Sequence, residues 1–86
     1  MTNSFKVAGI DYTIVHKDPA EMAGHIGQAD FNAQEIRINK SYSSQTKKIA
    51  VYHEIIHILS DAWGLRLTEE QVKIGTHALI GFIAEN

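Results

Sequence analysis

The chain has no cysteine. A disulfide framework is thereby excluded, and so is every metal site built on thiolates. No apolar run approaches the roughly 18 residues of a membrane span, and the N-terminal residues lack the basic-then-apolar order of an export signal. A cytoplasmic location without a membrane partner is therefore expected. Basic charge is scarce as well. Eight Lys and Arg stand against ten Asp and Glu, for a net charge of −2, and the adjacent pair Lys47-Lys48 is too short to form a patch. Such a chain raises no positive field to gather nucleic acid, and no glycine-rich fingerprint for a nucleotide is present.

What remains is an ordinary globular composition, 44% apolar and 21% charged over 86 residues. Residues 1–86 form one expected domain, near the lower limit of what a single core stabilises unaided. A domain this small without disulfides often relies on another stabiliser, and a bound metal is one of them. Five histidines make that chemistry available.

The pattern along the chain predicts an α+β unit. Phe5 to Ala8 and Tyr12 to Val15 are short apolar or β-branched runs around Gly9-Ile10-Asp11, the signature of a hairpin. Asp18-Pro19 breaks the run, and Ala20 to Ala23 can form a helical turn. Gly24 to Gln34 reads as loop around a short strand from Gly27 to Phe31. Glu35 to Asn39 alternates polar and apolar, the period of a half-buried strand. A helix then starts from a Ser43 or Ser44 cap and runs to Trp63, where Gly64 supplies the stop. A second opens at Thr68, with Gln71 three residues on completing a capping box, and continues to about Ala84. Trp63 and Phe82 are expected in the core.

The residues with chemical content are His53-Glu54-Ile55-Ile56-His57. On a helix, positions four apart differ by about 40° and lie one turn above each other, so both imidazoles can reach one cation. Zinc suits them, at zinc–nitrogen distances of roughly 2.0–2.1 Å. Glu54 lies about 100° round from His53, beside the metal, where a carboxylate can take a proton from metal-bound water. The rest of the helix agrees with a two-sided role. Val51, Tyr52, Ile55, Ile56, Ile58, Leu59, Ala62 and Trp63 form an apolar arc. Thr46, His53, Glu54, His57, Ser60 and Asp61 form the opposite face, and no Lys or Arg occurs between Lys48 and Arg66.

A third ligand must come from elsewhere, and the second helix is the expected donor. Glu70 is favoured, with His77 and Glu69 as alternatives. Glu70 and His77 are seven apart and share a face, while Glu69 lies on another. Acidic residues in a first turn also have a plain explanation in the helix dipole. Asp61 sits about 12 Å along the axis from His53, too far to ligate beside both imidazoles. It reads as a partner to His57 or as a solvated residue. His16 and His25 are expected on the surface.

Together with Gly27-Gln28-Ala29-Asp30, Glu35-Ile36-Arg37-Ile38, Glu69-Glu70-Gln71-Val72, His77-Ala78-Leu79 and Glu85-Asn86, the motif resembles small phage and prophage zincin-like proteins related to the ImmA/IrrE metallopeptidase group. The resemblance implies a small twisted sheet, antiparallel or mixed, packed on the H-E-x-x-H helix and a C-terminal helix. It implies zinc on His53, His57 and Glu70, Glu54 as general base, and hydrolysis of a peptide or protein substrate laid along an edge strand. The alternative is a non-catalytic regulatory or binding module whose zinc is structural. This chain departs from the better-known members in lacking a long helix before the sheet and an extension that would deepen the cleft.

Overall fold

The structure, a computed structural model, describes residues 4–85. Four strands come first: β1 (Ser4–Val7), β2 (Ile10–Lys17), β3 (Gly27–Asp30) and β4 (Glu35–Asn39). Two helices follow, α1 (Ser44–Trp63) and α2 (Glu69–Glu85), and a 3₁₀ turn spans Pro19–Glu21. The fold is α+β, as expected, and its sheet is mixed, in the order β1-β2-β4-β3. β1 pairs antiparallel with β2 through Val7↔Ile10. The two residues between them, Ala8 (φ 51°) and Gly9 (φ 81°), are both left-handed, as a twist-matched two-residue hairpin turn requires. β4 lies parallel to β2 and antiparallel to β3, which leaves β3 at one edge.

Side-chain alternation sorts the sheet into two faces. Val7, Tyr12, Ile36 and Ile38 point inward and meet Ile58 of α1, with Phe5, Ile14, Ala29, Val51, Ile55 and Leu59 around them. Phe5 and Tyr12 are cross-strand partners with stacked rings 5.8 Å apart. The other face is polar, and there Arg37 reaches Asp30 at 2.6 Å and Glu35 at 3.2 Å. Buried Asn39 secures the approach to β3: its backbone N–H donates to the Ile26 carbonyl, and its side-chain amide donates to that of His25. β3 also lies unusually close to α1. A Cβ on Gly27 would stand 3.3 Å from the Ala50 Cβ and 3.5 Å from the Glu54 Cγ.

Both helices begin and end where the sequence predicts. The Ser43 side chain accepts from the Thr46 N–H, and Gly64 closes α1 at φ 64°. The Thr68 and Gln71 side chains accept each other's backbone N–H at 3.1 and 2.8 Å. The expected core aromatics are a correction: Trp63 is 66% exposed and Phe82 64%. Trp63 is the last residue of α1, and Phe82 belongs to a helix that packs chiefly on α1 rather than into the sheet. No helix among the described residues is long and apolar enough to cross a membrane.

Candidate metal centre

His53 and His57 project from one face of α1, and their rings meet edge to face with centroids 4.9 Å apart. Their Nε2 atoms are 3.2 Å from each other. Between them comes a carboxylate from the first residue of α2. Glu69 Oε1 is 2.6 Å from His53 Nε2, and Glu69 Oε2 is 3.1 Å from His57 Nε2. The three donors all lie within 4.8 Å of one another, a group able to hold a metal ion. The fit is chemical as well as spatial. A tetrahedral zinc with bonds of roughly 2.0–2.1 Å needs donor separations of about 3.3 Å, close to the 3.2 Å between the imidazoles and the 3.3 Å from His57 to Glu69 Oε1. The 2.6 Å between His53 and Glu69 is a hydrogen-bond distance that a metal would widen. Two imidazole nitrogens and a carboxylate this near also need a cation or shared protons among them. Glu69 responds to that setting. Slight desolvation works against it, but hydrogen bonds with His53 and His57, and their charge, hold its carboxyl below the usual range.

The structure thus brings Glu69 to the imidazoles in place of the favoured Glu70, which is exposed and outside the group. Neighbours on a helix point about 100° apart, so the first turn of α2 can aim one of the two acids at the imidazoles and not both. His77 is exposed and also outside the group, some 12 Å further along the axis. Asp61 is exposed beside a recess that includes His57 and Arg66. His16 and His25 are exposed as expected, but His25 lines the groove described next.

Glu54 projects into an open groove of about 1040 Å³ between α1 and β3, beside the triad. Desolvation raises its pKa, the charges of His53 and His57 pull it down, and Glu69 pushes it up again. A further, smaller lowering influence is the nearby Ala29 backbone N–H. That proximity follows from the strand register. Asn39 N–H binds the Ile26 carbonyl, so alternation along the antiparallel pair turns the backbone groups of Gln28 and Asp30 toward β4. Those of Gly27 and Ala29 face the open edge. Glu54 therefore faces β3 closely, with bare Gly27 at its stem and the Ala29 N–H near its carboxylate.

Sequence reasoning missed two contributors, Ala29 and Ser60. The helical pattern puts Ser60 on the polar face of α1, but it is buried at the corner between the helices, and its Oγ accepts the Leu67 N–H at 3.0 Å. The short connection from Gly64 to Thr68 did carry a usable signal, because it returns the first turn of α2 to the His57 end of α1. Comparison with protein-family models, curated proteins and solved structures finds no match to this chain.

Proposed function

We propose that the chain is a zinc-dependent peptidase of minimal zincin-like build, with His53, His57 and Glu69 as ligands and Glu54 as general base. The observation that carries this reading is the position of Glu54: a desolvated carboxylate between a His-His-Glu cluster and an open strand edge. Zinc in the triad would supply Lewis acidity to water and to the substrate carbonyl. The remaining work falls to the chain itself. The exposed backbone groups of Gly27 pair with an extended peptide by strand addition. Glu54, its proton affinity raised by desolvation, takes a proton from the attacking water and passes it to the departing amine. A relationship to the phage and prophage proteins named above, and a bacterial cytoplasmic setting, belong to the same proposal.

The test combines metal content with hydrolysis of a peptide library. Wild type and Glu54→Gln should each hold about one zinc, Glu69→Ala should lose it, and Glu70→Ala should keep it. Cleavage should fall by about 10²–10⁴ in Glu54→Gln. A zinc-loaded wild type that cleaves nothing would leave the second reading, a regulatory or binding module with structural zinc. The modest burial of α2, with Val72 and Thr76 as its buried residues, favours that alternative. It requires a large fall in melting temperature when a chelator removes the metal.

A further inference from the structure

The helical stripe that carries both imidazoles continues to a third polar residue. Ser60 follows His57 by three and His53 by seven, which places all three on one side of α1. Ser60 is too deep to serve a solvated face, at 7% exposed. Both of its oxygen acceptors are turned onto the connection between the helices. Its carbonyl accepts the Leu65 N–H at 2.9 Å while the Asp61 carbonyl accepts that of Gly64 at 3.3 Å, the paired bonds that close a helix through a left-handed glycine. Its Oγ then reaches past Arg66, itself left-handed at φ 55°, to the Leu67 N–H. Leu67 precedes the Thr68 cap, and Glu69 is the first residue of α2.

We infer that Ser60 is a positioning residue for the metal centre, acting through the corner it fastens to fix where Glu69 enters between His53 and His57. This rests on the metal reading above. Glu69 has little else to place it, since its side chain is 71% exposed and its polar contacts among the described residues are the two imidazoles. Outside those contacts, the direction of its carboxylate depends on how the backbone turns into α2. A hydroxyl on the ligand helix, bonded two residues before the ligand, removes that freedom before the metal arrives. Groups that hydrogen-bond a metal ligand directly typically govern about 10–100-fold of metal affinity, and Ser60, acting one step removed through Leu67, belongs at the low end of that range.

The experiment is a double-mutant cycle on zinc affinity, read by competition with a chromophoric chelator, over wild type, Ser60→Ala, Glu69→Gln and the double variant. Ser60→Ala should bind zinc roughly tenfold more weakly, with unchanged helix content by circular dichroism, and Ser60→Thr should restore most of the loss. In the Glu69→Gln background the same Ser60→Ala change should have little effect, because the charged carboxylate it positions is gone and the neutral amide left in its place is a weak donor. Cobalt-substituted Ser60→Ala should show a visible spectrum shifted toward that of Glu69→Gln, which a loss of stability alone would not produce. Should Ser60→Ala fail to fold, Ser60→Cys, close in size with a weak sulfur acceptor, takes its place in the cycle. Equal affinity and spectrum in wild type and Ser60→Ala overturns the inference, as does an equal loss in both backgrounds. Wild type that binds no zinc overturns the metal reading itself, and the role of Ser60 falls with it.

Discussion

The two helices obey the same local rules and have different tertiary settings. α1 is 20 residues, α2 is 17, and each starts with a hydroxyl cap that binds a backbone N–H three residues on. α1 is flanked on one side by the sheet and on another by α2, and it puts Ile58 into the core. α2 leans chiefly on α1 and leaves Ile74 61% exposed. The difference separates what capping determines from what docking determines. Caps set where a helix begins; the neighbours it meets set which of its faces matters. The candidate centre joins the well-anchored helix, which supplies two of its side chains, to the lightly anchored one, which supplies the third.

Metal should narrow this contrast, and of the expected effects it bears on the contrast most directly. Zinc at about 100 times its Kd should stabilise the fold by ~2.7 kcal/mol if the unfolded chain does not bind it. Hydrogen exchange should show the gain mostly in the first turns of α2. Equal gains along both helices would remove the contrast. Next comes the core. Ile58→Ala should cost about 2–5 kcal/mol in urea unfolding, and Val72→Ala about 1–2 kcal/mol from the methyl groups lost. The reverse order would show that the α2 contact holds more of the fold than its burial implies. The caps come third, since Ser43→Ala and Thr68→Ala should each cost roughly 0.5–2 kcal/mol. Thr68→Ala alone should also weaken zinc binding, because it loosens the turn that carries Glu69.

The smallest effect lies off both helices. The backbone N–H of Ala33, with Arg37 and Asn32, outweighs slight desolvation and holds Asp30 below its usual pKa. A depressed acid contributes stability that is present above its unfolded pKa of 3.8 and lost as pH falls through the folded value. Unfolding midpoints of wild type and Asp30→Asn should therefore converge below that range, with the relative protection of the helices unchanged.

Most of the fold is legible in the sequence because its signals are local: Gly64 as a stop, Thr68 with Gln71 as a start, the alternation from Glu35 to Asn39. The histidine pair is legible for the same reason, since a single helix fixes their relation. Glu69 against Glu70 is a different kind of question. Both satisfy every first-turn preference, and the choice depends on the angle at which α2 meets α1, which no local pattern encodes. The exposure of Trp63 has the same origin, because an apolar arc can extend past the edge of the sheet it covers. Ser60 looks like polar lining in the sequence because its bond to Leu67 forms only when the corner closes. The Ala29 contact to Glu54 depends on strand register, which pairs residues distant in sequence.

The triad also bears on the order of assembly. Its donors span residues 53 to 69, with the longest link only 16 residues apart, so bringing them together closes a short loop at modest entropic cost. The groove is a long-range structure, since β3 must first be paired into the sheet and then meet α1. Contacts of short sequence separation form early in folding relative to distant strand pairings. The expected history of the molecule is thus a helical hairpin that could capture a metal ion while the sheet is still assembling, with Glu54, the proposed general base, meeting the strand edge only when β3 docks.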